Sequence, residues 1–337
     1  MQEALFYDQE KELSVLCRLC HHNCHIKEGR RGICGVRENR QGKLYSLVYG
    51  RLVSENIDPI EKKPLFHFLP GSKSYSISTV GCNFRCAHCQ NYQISQYPHA
   101  HEGEIIGRER SPEDVVNAAQ QANCRSISYT YVEPTIFYEF AYDCAVLAHQ
   151  RGIKNVFVSN GYMGEEVTRH LAPVLDGINI DIKAFSEKFY HQVCKARLQP
   201  VLDNVRLMRR LGVWVEVTTL IIPGWNDSDD ELGRIAAFIK EVDPAIPWHV
   251  TAFYPTYQML DRPPTPVATL RKARKIGLAA GLRHVYEGNI PGEGGESTYC
   301  PACNALLLER FGFSIGRNNL ADGRCPSCGE KIAGVWD

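Results

Sequence analysis

Residues 74–89 read SYSISTVGCNFRCAHC. The first seven, Ser74–Val80, have the composition of a β-strand, and three cysteines, Cys82, Cys86 and Cys89, follow in the loop directly behind it. Working outward, the same strand pattern recurs. Ser126–Thr130, Lys154–Ser159, Gly177–Ile182, Val213–Ile222, His249–Phe253 and His284–Tyr286 are β-branched or aromatic runs bounded by turns. Helical patterns lie between them. Ser111 precedes Pro112-Glu113-Asp114, an N-cap serine with proline at the first helical position and acids in the first turn. Ile136–Gln150 reads as a helix closed by Gly152, and Asp229–Glu241 and Pro266–Ala280 as two more. Strands alternating with helices predict an α/β fold with a parallel sheet and right-handed crossovers. About seven strands, one or two short of a closed eight-stranded barrel, predict a partial (β/α)6 TIM-like barrel.

Such barrels carry their chemistry at the C-terminal ends of the strands, and the polar residues follow that rule. The cysteine loop with His88 comes after the first strand, Tyr131-Val132-Glu133-Pro134 after the second and Asn160-Gly161 after the third. Asp181 and Lys183 end the fourth strand, Thr218 and Thr219 sit in the fifth, and His249 lies on the sixth.

The chain has 337 residues with 38 Lys and Arg against 38 Asp and Glu, so no basic excess exists to bind a polyanion, and no nucleic-acid partner is expected. No apolar run is long enough to span a bilayer, and the first residues carry scattered charges rather than a signal peptide, so a cytoplasmic protein without a membrane partner is expected. Thiols there stay reduced, which makes 14 cysteines a sign of metal or redox chemistry. Eleven of them fall into three sets: Cys17, Cys20, Cys24 and Cys34; Cys82, Cys86 and Cys89; and Cys300, Cys303, Cys325 and Cys328. Cys124, Cys144 and Cys194 stand alone; Cys124 and Cys144 read as small buried hydrophobes, and Cys194, in a more mixed stretch, is expected to be structural.

These sets divide the chain into an N-terminal cysteine-rich module at 1–72, a barrel at 73–290, and a C-terminal module at 291–337 entered through a glycine-rich linker from Pro291. The first set offers four soft ligands for structural zinc or a second [4Fe–4S] cluster. The last has the two knuckles of a zinc ribbon, with a hairpin expected from Leu306–Leu308 and Phe311–Ile315; zinc is the first reading and an auxiliary iron–sulfur site the alternative. Three thiolates at Cys82, Cys86 and Cys89 can wrap one face of a [4Fe–4S] cluster and leave one iron open; a zinc site is the competing reading.

In this loop the chain resembles the radical S-adenosylmethionine (SAM) superfamily, whose signature is Cys-x3-Cys-x-aromatic-Cys; His88 holds the aromatic place. Glu133-Pro134 is similar to the second half of the family's Gly-Gly-Glu-Pro segment, with Tyr131 and Val132 in place of the glycines. Ser159-Asn160-Gly161, Asp181-Ile182-Lys183, Ile222-Pro223-Gly224-Trp225 and Pro247-Trp248-His249 resemble segments of pyruvate formate-lyase activating enzymes in the same order. The openings Cys17-Arg18-Leu19-Cys20 and Asp58-Pro59-Ile60-Glu61-Lys62-Lys63 resemble the radical enzymes of the AmmeMemoRadiSam group. The resemblance implies that Cys82, Cys86 and Cys89 hold the reactive [4Fe–4S] cluster. It implies that His88, Glu133, Asn160, Asp181, Lys183, Thr218 and His249 contact SAM. One electron, from a reductant such as flavodoxin or ferredoxin, then cleaves SAM to a 5′-deoxyadenosyl radical that takes hydrogen from a small-molecule or protein substrate. A glycyl-radical activase is one variant, and a zinc-binding scaffold without catalysis is the alternative from another class.

Overall fold

In the computed structural model, which describes residues 1–290, 292 and 294–337, the Ser111 hydroxyl accepts a hydrogen bond from the Asp114 amide and the Asp114 carboxylate accepts one from the Ser111 amide. This reciprocal cap opens α1 (Pro112–Gln121), as the local sequence dictates. Five more helices follow in the crossovers: α2 (Tyr138–Gln150), α3 (Glu165–Leu171), α4 (Gln199–Arg210), α5 (Asp229–Val242) and α6 (Val267–Ala280). They connect strands of one eight-stranded sheet: β1 (Ser54–Pro59), β2 (Lys73–Ser78), β3 (Ser126–Tyr129), β4 (Lys154–Ser159), β5 (Gly177–Asp181), β6 (Trp214–Ile221), β7 (Trp248–Ala252) and β8 (Val285–Gly288). Each strand pairs with its sequence neighbours. All pairs from β2 to β8 are parallel, and only β1–β2 is antiparallel. Seven parallel strands joined by six helices, with the sheet left open between β8 and β1, form the expected partial barrel.

The alternation in Ser74-Tyr75-Ser76-Ile77-Ser78 sorts the two faces. Ile180 packs toward Val201 of α4, so its row (Ile77, Tyr129, Phe157, Ile178) meets the helices. The other face lines the barrel with Ser76, Ser128, Asn179, Glu216 and Thr218, all buried. Polar side chains thus predominate on this face, while Val156 and Trp214 join the apolar cluster at the base.

Small modules close the two ends. At the C-terminal strand ends, the antiparallel strands Tyr7–Gln9, Val15–Cys17 and Cys24–Ile26 dock on the loop after β4: Gly164 donates to the Leu19 carbonyl and His21 to that of Tyr162, both at 3.0 Å. At the N-terminal ends, a three-stranded sheet (Thr298–Tyr299, Leu306–Phe311 and Ser314–Asn318) covers the base. Buried Arg310 pins it there, donating to the Phe66 carbonyl and lying over the Phe66 ring. The hairpin expected between the last two knuckles is thus present, while Pro291 and Glu293 of the expected linker lie outside the described residues. Among the described residues no helix is long and apolar enough to cross a membrane. Cys124 and Cys144 are buried, as packing residues should be.

Candidate active site at the barrel mouth

The loop after β2 starts at Gly81, whose φ of +98° and close approach to Val36 leave no space for a side chain: a Cβ would stand 2.5 Å from Val36 Cγ1. Cys82, Cys86 and Cys89 follow. The Phe84 amide donates to Cys82 Sγ at 3.4 Å, and Cys89 Sγ lies 3.3 Å from the Ser95 hydroxyl. No three of the neighbouring ligand atoms close to within 4.8 Å of one another, a spacing that among the described residues only the C-terminal cysteines reach. A single tetrahedral ion with bonds of about 2.3 Å needs sulfurs about 3.8 Å apart. Three thiolates in one loop can instead take three corners of an iron–sulfur cube.

Glu133, at the end of β3, comes to the same mouth. Its carboxylate accepts from the Asn160 amide at 2.7 Å, the Ser159 hydroxyl at 2.9 Å and the Thr135 amide at 3.1 Å. Burial pushes its pKa up, and these hydrogen bonds work against that rise. Asn160 in turn donates to Asn83 Oδ1 at 2.8 Å, tying the third strand end to the residue beside Cys82. The preceding Tyr131 sits at φ +66°, a left-handed conformation that favours glycine. It is held there by its hydroxyl, which donates to Asp58, and by the Lys63 ammonium 4.7 Å over its ring.

From β5, Asp181 and Lys183 form an ion pair at 2.9 Å. Burial disfavours the Lys183 charge, yet Asp181 and the neighbouring thiols of Cys86 and Cys194 outweigh it, and the pKa is raised. His88 is 4% exposed, packed on Phe189, with Nδ1 unpartnered; burial and nearby Lys183 lower its pKa to about 3. Its ring is therefore a neutral plane at physiological pH. Thr218, deeper in the lumen and in register with Asp181, also has a buried, unpartnered hydroxyl. Three thiols and the unpartnered buried polar atoms of His88, Thr218 and Asn83 fit a cluster with a polar ligand beside it.

His249 stands in register with Thr218, but its ring is engaged on the base side rather than at the cysteine loop. It is the second residue of β7, toward the base, where Nε2 lies 2.6 Å from Glu216 and the ring packs edge-on to Phe66. Glu216 also accepts from the amides of Phe66 and His67 at 3.0 and 2.8 Å, so the pair fastens the loop that plugs the barrel. Two contributors escaped the sequence reading. Cys194 ends a π-helical turn that brings its thiol beside Cys86, and its carbonyl accepts from the Arg85 amide at 3.0 Å. Asn83 bridges Cys82 to Asn160; its place inside the cysteine motif was the available signal.

At the base, Cys300, Cys303, Cys325 and Cys328 gather within 4.8 Å, with 3.6 Å between Cys300 and Cys328 and between Cys303 and Cys325. That matches the about 3.8 Å edge of one tetrahedral ion. It lies at the end of the barrel opposite the Cys82 loop.

Known proteins share these features. The profile of the Radical SAM superfamily matches residues 76–238. Uncharacterized protein MJ0808 of Methanocaldococcus jannaschii is 50% identical over 335 residues, 98% of this chain and 99% of that one. Pyruvate formate-lyase 1-activating enzyme of Escherichia coli is 22% identical over 166 residues, 48% of this chain and 66% of its own. Streptococcus suis SuiB bound to S-adenosylmethionine shares the fold with a TM-score of 0.52 at 13% identity, over 68% of this chain and 53% of that one. The cysteine loop at the first parallel strand end, the partial barrel around it and the match across both lead to one assignment: this chain belongs to the radical SAM superfamily.

Proposed function

We propose that this chain is a SAM-dependent radical enzyme whose cluster is held by Cys82, Cys86 and Cys89. When bound, the [4Fe–4S] cluster and SAM supply reductive cleavage of a carbon–sulfur bond, giving a 5′-deoxyadenosyl radical that abstracts hydrogen from the substrate. The protein's part is to bind, orient and exclude water. Glu133 offers a carboxylate, steadied by donors from Thr135, Ser159 and Asn160, to the ammonium group of SAM. Lys183 offers a charge fixed by Asp181 to a carboxylate, and His88 and Thr218 present a flat ring and a free hydroxyl. Asn160 keeps the Glu133 loop against Asn83, so that ligand and cluster are held in one geometry. His249 takes a positioning role through Glu216 rather than a SAM contact.

The observation that carries this reading is convergence: residues from the ends of β2, β3, β4 and β5, distant in sequence, meet around three cysteines that have no fourth thiolate of the same motif. The C-terminal cysteines are read as a structural zinc site, by their sulfur spacing. The modules 1–72, 73–290 and 291–337 are retained as working units, although Ser54–Pro59 pairs into the barrel sheet. A one-electron donor of the flavodoxin or ferredoxin class and an unidentified small-molecule or protein substrate complete the scheme. The likeness to an activating enzyme favours a protein substrate as a second reading.

Electron paramagnetic resonance of the reduced, reconstituted protein tests the binding part. Adding SAM is expected to shift the cluster signal, and the Glu133→Ala variant to need a higher concentration for the same shift. A signal indifferent to SAM refutes the assignment.

A further inference from the structure

The four N-terminal cysteines reach one place by different routes. Cys17 and Cys24 oppose each other across the strands Val15–Cys17 and Cys24–Ile26. Cys20 sits at the tip between them, bridged to Met163, and Cys34 returns just before the strand Arg37–Arg40. All four line a single cavity, and Asn83 forms part of its wall.

Sulfur spacing separates this site from the one at the other end. The C-terminal sulfurs close to the edge of a single tetrahedral ion, and the N-terminal sulfurs do not, although they surround a common space. Nor, among the described residues, do three sulfurs of the Cys82 loop gather within that distance. These two sets also stand back to back. The Cys34 carbonyl oxygen lies 2.9 Å from where a Gly81 Cβ would be, and His22 Nε2 donates to the Asn83 carbonyl at 2.8 Å. Cys82 lies between Gly81 and Asn83, so both its sequence neighbours touch the N-terminal site.

We propose that Cys17, Cys20, Cys24 and Cys34 hold a second iron–sulfur cluster, of [4Fe–4S] type, that passes electrons to the cluster at Cys82, Cys86 and Cys89. The N-terminal cluster takes one electron from an external flavodoxin- or ferredoxin-class donor, which is oxidised by one electron, and loses it across Gly81-Cys82-Asn83; no atom is transferred. The existence of this cluster is independent of the function proposed above, and only the destination of the electron rests on it.

The test uses the full-length Cys82→Ala/Cys86→Ala/Cys89→Ala variant, reconstituted anaerobically with iron and sulfide beside the wild type. The variant is expected to keep about four irons and four sulfides per chain, with the resonance of a reduced cluster, and the wild type about eight irons. One zinc per chain is expected in both. A variant with two zincs and no iron overturns the proposal. If both proteins carry about four irons, this cluster stands and the reading of the Cys82 loop fails. For the relay, the wild-type spectrum is expected to be broadened by spin coupling that disappears in the variant; two non-interacting signals overturn that part. If the variant does not fold, the wild-type metal count decides, about eight irons with one zinc supporting the site and about four with two zincs overturning it.

Discussion

Asp58→Asn removes one charge from a buried pair that anchors the Tyr131 loop. Lys63 Nζ lies 2.6 Å from Asp58 Oδ2, with the two side chains 1% and 8% exposed. The Tyr131 hydroxyl donates to the same oxygen and Lys62 to the other at 2.9 Å. Taking away one member of a buried ion pair costs about 3–5 kcal/mol, because the remaining charge is stranded. The amide still accepts a hydrogen bond, so the lower end, about 3 kcal/mol, applies. At about 2.1 cal/mol/K of unfolding entropy per residue, 337 residues give about 0.7 kcal/mol/K and a fall in Tm of about 4 °C. The loss also depends on pH. Burial lowers the Lys63 pKa to about 8, and Asp58 supports it from below. Without Asp58 it falls further, so in the variant the folded chain holds fewer protons than the unfolded one over a wider range below pH 8. Stability rises with pH wherever the unfolded state binds more protons. The variant therefore gains stability between about pH 6 and 8 that the wild type does not gain from this group, and the gap between them narrows. Anaerobic thermal unfolding at matched scan rate and cluster content measures it. A gap under about 1 °C, or one that widens from pH 6 to 8, refutes the reasoning.

Three further outcomes are expected. Glu133→Gln keeps the shape of the side chain but not its charge, and should weaken SAM binding to the cluster-loaded protein about ten- to hundredfold, a charged hydrogen bond's worth; equilibrium binding that is unchanged counts against the ammonium contact. Cys300→Ser should lose the zinc and expose residues 294–337 to protease while leaving the iron content intact, since that site lies at the opposite end of the barrel; iron lost along with zinc contradicts this separation. His88→Phe should keep SAM cleavage within about threefold, because the buried ring is neutral and its Nδ1 has no partner to lose; a hundredfold loss gives the imidazole a polar role.

Where local pattern decides structure, the sequence was enough. The β-branched runs became β2–β8, and the Ser111-Pro112-Glu113-Asp114 cap began its helix at the expected residue. Ser54–Pro59 was missed because Ser-Glu-Asn-Ile-Asp-Pro has no alternating apolar face; it pairs only as an antiparallel edge to β2. His249 reads as a strand residue, but which end of the barrel it faces depends on the stagger of neighbouring strands, and Glu216 beneath it receives Phe66 and His67 from 150 residues away. Glu133 and Asn160 were legible because strand–turn positions report the mouth directly. Cys194 was not, since its contact with Cys86 depends on a π-helical turn folding back. The paired Cys-x2-Cys knuckles at the C-terminus were legible as a zinc-ribbon pattern, whereas the irregular spacing of Cys17, Cys20, Cys24 and Cys34 left zinc and iron–sulfur both open. Among the described residues only the C-terminal sulfurs gather within 4.8 Å of one another.

The central claim is that three cysteines at the first parallel strand end make this chain cleave SAM. The direct measurement is 5′-deoxyadenosine, quantified by mass spectrometry after anaerobic incubation of the reconstituted protein with SAM and dithionite. Deoxyadenosine is predicted from the wild type and none from the Cys82→Ala/Cys86→Ala/Cys89→Ala variant. No deoxyadenosine from cluster-loaded, reduced wild-type protein, or equal amounts from both, contradicts the account.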